Sequence, residues 1–394
     1  MSERQQKALV IAAKNKLTKK GDTWIVPSQS GNDYYKVNNT DPDWPTCTCM
    51  DFELRRARCK HIYAVEIVIE RETSTKRTKT DKGETETTTV TETVKIRYNQ
   101  VWSAYNNAQT NEKARFLSLL HDLCSGIDEP IQTMGRTRLP LADMIFAAAY
   151  KIYSTVSSRR FMTDLKEEYV RGRISKMPCF NSINAYLAME ELTPCLQYLI
   201  TQSALPLKSV ETDFAVDSSG FSTCSYVRWY DEKYGKEKSE RDWVKAHVMC
   251  GVKTNIITSA EISGAHGADP NYFAPLVNET AKRFNVREVS ADKAYSNYAS
   301  MRLTESKGAV PYIDFKVNAT DTGKCEVWNR MYHFYQFNKA AFLEHYHKRS
   351  NVESTFSMVK AKFGGFVRSK LPTAQVNEVL CKILCHNLCV VIQS

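Results

Sequence analysis

The sequence predicts a mixed α/β protein in which a mixed sheet flanked by helices follows an all-helical region and a small module stapled by soft ligands. Three features point there. Short segments rich in β-branched and aromatic residues, interleaved with helical stretches, fill the C-terminal half. Helical apolar spacing without strand signals fills residues 100–207. Four cysteine and histidine side chains crowd into a short window near the N-terminus, where a module too small for a large core needs such a staple.

The chain has 394 residues, 42% hydrophobic, enough for two or three domains with at least one large core. No stretch of about 18 uninterrupted apolar residues appears, and Met1 to Lys20 is too charged for a signal peptide. Neither membrane insertion nor export is expected, which places the protein in the cytoplasm. The net charge of +10 favours polyanionic partners without choosing one. Twelve cysteines spread along a long chain read as reduced thiols rather than a disulfide framework.

The N-terminal module covers residues 1–70. Cys47-Thr-Cys49, nine intervening residues, and Cys59-Lys-His61 supply four soft ligands, the number a structural zinc ion takes in tetrahedral coordination. Upstream, TWIVPSQSGNDYYKV reads as two strands and a turn, and HIYAVEIVIERE as a helix starting at the last ligand. Cys47, Cys49, Cys59 and His61 match the CxC…CxH pattern at all four positions, so the module resembles a SWIM-type zinc finger. That resemblance implies Zn2+ and binding to DNA or protein. A closed four-ligand site leaves no position for chemistry, so the finger is an accessory.

Residues 71–97, rich in Thr, Lys and Glu, cannot build a core and read as a linker. Residues 98–207 form the helical region. Within it KEEYVRGRISKMPCFNSINAYL reads as two helices joined by a short turn, and both a helix-turn-helix and plain helical packing account for it.

The C-terminal domain, residues 208–394, carries the strand segments TDFAVDS, CSYVRWY, KAHVMCGV, NIITSAEI, REVSA and AVPYIDFKV, with helices near 271–284, 296–306, 339–364 and 374–392. Asp217 is expected at a strand end before a Ser-Ser-Gly turn, and Asp292 at the end of REVSAD. Asp213 shares Asp217's strand face, but the turn favours Asp217. On one α-helix at 100° per residue, Tyr346, Arg349, Glu353 and Lys360 fall within an arc of about 60°, beside an apolar stripe of Val352, Phe356, Val359 and Phe363. An ordinary i,i+4 pair of Arg349 and Glu353 would explain two of those residues. Two strand-end acids and a helix acid could instead converge on divalent metal, which would relieve their mutual repulsion.

Asp217, Asp292 and Glu353 resemble the DDE triad of transposases with an RNase H-like core. Tyr346-x2-Arg349-x3-Glu353-x6-Lys360 is similar to the Y-R-E-K signature of IS4-type insertion-sequence transposases at every spacing, and ADKAYSN to that family's D-x2-Y pattern. The resemblance covers residues 210–392. It implies an RNase H-like catalytic domain and a helical DNA-binding region before it. It also implies Mg2+ (or Mn2+) held by Asp217, Asp292 and Glu353, and cleavage and joining of DNA strands by a two-metal mechanism. Arg349 and Lys360 would grip phosphates and Tyr346 the terminal backbone of double-stranded DNA. The terminal inverted repeats and a target would be the DNA partners, bound by a homodimer on the nucleoid. Only 60 residues separate Asp292 from Glu353, too few for the β-rich insertion some relatives carry there. A DNA-binding protein that has lost catalysis, a nuclease that cuts without joining, and a zinc-finger scaffold for protein partners are the competing readings.

Cys381, Cys385, His386 and Cys389 are expected as packing residues of a terminal helix rather than a second metal site. His345 and His347 are expected as exposed residues at a helix end, and Asp269 as a turn or cap.

Overall fold

The computed structural model describes residues 3–14, 17–28, 34–39, 44–74, 101–135, 137–223, 243–321 and 323–394, in two compact units, Met1–Trp102 and Ser103–Ser394. The strand segment CSYVRWY and most of the linker lie outside the described residues. The linker's first residues, 71–74, continue a helix.

The first unit has helix α1 (Glu3–Lys14), strands β1 (Thr18–Lys20), β2 (Thr23–Pro27), β3 (Tyr34–Asn38) and β4 (Thr46–Cys47), and helices α2 (Met50–Arg55) and α3 (Lys60–Ser74). The strands form one antiparallel sheet in sequential order. Alternation along β2 buries Trp24 and Val26 and exposes their neighbours more, and Ala8, Ile11, Ile62 and Val65 of α1 and α3 close the core over them. The two strands of TWIVPSQSGNDYYKV are present as expected, with β1, β4 and both N-terminal helices added.

The second unit begins with helices α4 (Trp102–Thr110), α5 (Glu112–Ser125), α6 (Leu141–Ser154), α7 (Ser158–Val170), α8 (Phe180–Leu187) and α9 (Leu192–Ala204). The α7–α8 pair is not a helix-turn-helix. Residues 171–179 join the two helices, against the three or four residues of that motif's turn. Glu168 pairs with Arg171 and Arg173, and Asp143 accepts the Ser175 N–H at 2.8 Å, so this connection is a folded loop.

Strands β5 (Asp213–Ser222), β6 (Trp243–Gly251) and β7 (Ile257–Gly264), helix α10 (Pro270–Ala281), strand β8 (Glu288–Ala291), helix α11 (Tyr298–Ser306) and strand β9 (Val310–Ile313) follow. The sheet runs β7-β6-β5-β8-β9, antiparallel on the β6 and β7 side and parallel on the β8 and β9 side, which fits the expected RNase H-like domain. Helices α12 (Glu326–Phe337), α13 (Lys339–Tyr346), α14 (Ser350–Phe363) and α15 (Pro372–Gln393) complete the unit. The single helix expected over 339–364 is two helices, with a 3-10 turn at His347–Arg349 between them, and α12 carries no expectation from the sequence.

Both sheet faces are covered. Ala215, Phe221, Ala246 and Val248 pack with α5, α6, α9, α14 and α15, while Phe214, Val216 and Met249 pack with α10 to α13. Helix α15 is long and apolar enough to cross a membrane, yet most of it is buried in the first of these cores. Its interior polar groups make tertiary hydrogen bonds: Asn387 Nδ2 donates to the carbonyls of Ile200 and Ile257, and Asn377 Nδ2 to those of Leu187 and Met189. Cys385 and His386 serve the same packing, with Sγ donating to the Ala149 carbonyl and His386 Nε2 lying 2.9 Å from the Asn255 carbonyl.

Glu378 and Lys382 of α15 anchor the strap after α14. The buried Glu378 carboxylate accepts the backbone N–H groups of Arg368 and Ser369, and Lys382 donates to the Gly364 and Phe366 carbonyls. Glu378→Ala should therefore lower unfolding stability by about 3–5 kcal/mol, because it strands Lys382 and two amides in the interior. Urea denaturation of the full chain would measure this, and Glu378→Gln should recover part of the loss.

Candidate active site and metal centre

In the N-terminal unit, Cys47 ends β4, Cys49 precedes α2, and Cys59 and His61 sit at the start of α3. Their ligand atoms all lie within 4.8 Å of one another and all four residues are buried. His61 turns Nδ1 inward, 3.8 Å from Cys47 Sγ and 3.9 Å from Cys59 Sγ, while Tyr35 stacks on its ring at 4.3 Å. Tetrahedral zinc with bonds of about 2.0–2.3 Å spaces its ligands a little under 4 Å apart, so the four residues fit that ion. The Cys47–Cys59 hydrogen bond draws the Cys59 thiol down and pushes the Cys47 thiol up, and burial raises Cys49.

In the second unit, the parallel register of β5 and β8 ends at Val216↔Ala291, which sets Asp217 and Asp292 at corresponding positions on neighbouring strands. Asp292 follows β8 directly, as expected, and its Oδ1 accepts the Lys293 N–H at 2.8 Å. Asp217 is not at a strand end. It is the fifth of ten residues in β5, and Ser218, Ser219 and Gly220 continue the ladder opposite His247, Ala246 and Lys245. Gly220 serves the strand: a Cβ there would lie 2.9 Å from the Trp243 ring.

Glu353 lies in the first turn of α14. Arg349 joins it to β5. One guanidinium nitrogen donates to Asp217 Oδ2 at 2.7 Å and the other to Glu353 Oε1 at 2.8 Å. Burial raises the Asp217 carboxyl, the Ser218 amide and Arg349 pull it back, and Asp292 and Glu353 push it up again, so it ends above its ordinary value. Asp217 thus feels both other acids, and Arg349 senses all three. Carboxylate oxygens are the hard donors that Mg2+ or Mn2+ takes, so Asp217, Asp292 and Glu353 are the residues of this unit that could hold such an ion.

Residues 208–388 match the transposase DDE domain family, and residues 38–70 match the SWIM zinc finger. The chain carries a transposase DDE domain. That domain holds every residue of the triad and of the Y-R-E-K spacing, and the zinc-finger match holds all four soft ligands.

The matched domain also holds the two remaining members of the spacing. Lys360 Nζ donates to Ser219 Oγ at 2.7 Å and lies 5.2 Å above the Phe221 ring, on the sheet face that carries Asp217. Tyr346 closes α13 and is half-buried, close enough to Arg349 and Asp292 for both to act on its phenol.

Sequence reasoning missed the group that sets Arg349 in place. Asp213 and Glu288 face each other in the parallel register, and Lys348 bridges them with bonds of 2.7 and 2.6 Å. His345 adds a contact of 2.9 Å to Glu288 and stacks on Tyr312 at 4.3 Å, so it is not the exposed helix-end residue expected. Arg287 also pairs with Asp213. Asp213 is therefore spent at the far end of β5, and this, rather than a turn, distinguishes it from Asp217.

Burial would raise the Asp213 carboxyl, but Lys348 and then Arg287 outweigh it and hold it below its usual range. A depressed carboxyl stabilises the fold fully above its unfolded value of about 3.9, and this contribution disappears as pH falls through the folded value. Asp213→Asn should cost about 1–3 kcal/mol at pH 7. Urea titrations from pH 7 to pH 2 should show the gap from wild type closing below about pH 4.

Proposed function

We propose that this protein is a DNA transposase of the IS4 type, which cleaves phosphodiesters at the ends of an insertion sequence and joins them to a target. The observation that supports the reading is Arg349, which bonds both Asp217 and Glu353 and feels Asp292 within the matched domain. Asp217, Asp292 and Glu353 would hold two Mg2+ or Mn2+ ions. Bound there, such ions supply an activated water, then an activated DNA 3′-OH, and charge for the leaving oxygen.

The chain's own groups do the rest. Asp217 and Asp292 come from adjacent strands of a covered sheet, so their separation is fixed by the backbone ladder rather than by a loop. Glu353 comes from a helix that packs its apolar side on the same sheet through Val352, Phe356 and Val359. Arg349 exchanges carboxylate for phosphate when a DNA end arrives, since guanidinium matches the fork geometry of both anions. Lys360 adds a point charge further along the same face, and Tyr346 contacts the terminal backbone. The zinc finger and the helical region bind double-stranded DNA at the terminal inverted repeats, and two copies of the chain pair two ends on the nucleoid.

The test uses DNA carrying the repeats that flank the protein's own gene, with Mg2+ and purified full-length protein. Wild type should cut at the repeat ends and yield joined products, and Glu353→Gln should lose about 10³-fold or more in rate while still binding the DNA. Binding without cutting under Mg2+ or Mn2+ would mean a DNA-binding protein, and cutting without joined products a nuclease.

A further inference from the structure

Asp217 and Ser218 point to opposite faces of β5, and behind the site, on Ser218's face, lies a polar network that the triad does not include. Ser218 Oγ donates to Asp269 Oδ1 at 2.9 Å. The same oxygen receives Lys245 Nζ at 2.6 Å and lies 3.3 Å from His247 Nδ1. His247 is fully buried, is stacked on Tyr272 at 4.1 Å, and has Nε2 2.9 Å from Ser263 Oγ. Asp269 thus collects partners from β5 and β6 at the start of α10, and His247 extends the network to the last turn of β7.

The network touches Asp217 through Ser218, and Tyr295 stands beside it next to Asp292. On one side, the Ser218 amide donates to Asp217 Oδ1 at 2.8 Å. On the other, Tyr295 belongs to the turn that Asp292 caps, and its own N–H donates to the Asp292 carbonyl at 2.9 Å. The Tyr295 side chain is 1% exposed and packs against Phe273 of α10. Burial first, and then Asp269, Asp217 and Asp292, disfavour ionisation of its hydroxyl, and Ser218 offsets part of this.

We infer that Asp269 is a positioning residue for the metal-holding acids: by holding the Ser218 hydroxyl it fixes the stretch of β5 whose amide binds the Asp217 carboxylate. This rests on the metal-dependent reading above. The physical reason is that a carboxylate on a strand has two free side-chain dihedrals, and once Arg349 turns to a phosphate the Ser218 amide is the bond that still holds it. An ion demands its ligands within a few tenths of an ångström, so the groups behind the ligands decide its affinity. Lys245 neutralises Asp269, and the network therefore adds no further negative charge to the triad.

The experiment is Mn2+ titration of the full-length protein followed by electron paramagnetic resonance, on wild type, Asp269→Asn, Ser218→Ala and Asp217→Asn. Wild type should bind Mn2+ and Asp217→Asn should lose that binding; failure of either result overturns the metal-dependent reading itself. Given both results, Asp269→Asn and Ser218→Ala should each weaken Mn2+ binding by about 10- to 100-fold while leaving DNA binding in EDTA unchanged. Ser218→Ala removes one hydroxyl and keeps the fold if Asp269→Asn does not. Wild-type Mn2+ affinity in a folded Ser218→Ala protein, or a loss of Mn2+ binding matched by an equal loss of DNA binding in EDTA, would overturn the positioning role and leave the network purely structural.

Discussion

The Asp217 carboxylate sits in the field of two others, those of Asp292 and Glu353, and much of the second unit bears on how that charge is held. Asp217 and Asp292 are placed by strand register and Glu353 by a helix packed on the sheet, and one guanidinium, Arg349, offsets the charge between two of them. Arg349 meets two of the acids with contacts at both nitrogens, and the proposed divalent metal would relieve the same repulsion.

The rest of the unit supports that balance. Lys348, clamped between Asp213 and Glu288, fixes the 3-10 turn from which Arg349 projects. Glu378 and Lys382 hold the strap after α14, and with it the end of the helix that carries Glu353. Buried ion pairs of this kind add little net stability compared with apolar residues of the same shape, but they fix geometry, which the site requires.

Much of this was legible in the sequence, because the decisive pattern is periodic. Of the four spaced residues, Glu353 and Lys360 lie on α14 as the periodicity predicts, while Tyr346 and Arg349 fall on α13 and the 3-10 turn, and Asp292 follows its short strand as expected. The zinc ligands were equally plain, since CxC and CxH in one short window leave few alternatives. Where the reading went wrong, local chemistry was overruled by partners distant in sequence. Ser218-Ser219-Gly220 looks like a turn, but the glycine is there to clear the Trp243 ring and the ladder runs on past it. The helix through Arg349 is interrupted at a turn whose Lys348 is held by Asp213, 135 residues away, and no local signal marks that partner. His345 looked exposed because its partners, Glu288 and Tyr312, lie on two other strands.

The central claim is that Asp217, Asp292 and Glu353 form one metal site, with Arg349 as the cation that yields to it. Crystals of the full-length protein bound to a DNA end and soaked in Mn2+, measured near the manganese absorption edge, test it most directly. The account predicts anomalous peaks within about 2.0–2.4 Å of carboxylate oxygens of all three acids, with Arg349 moved onto a DNA phosphate. Peaks bound by other residues, or DNA in place while Arg349 still bridges Asp217 and Glu353 without any peak, would contradict it.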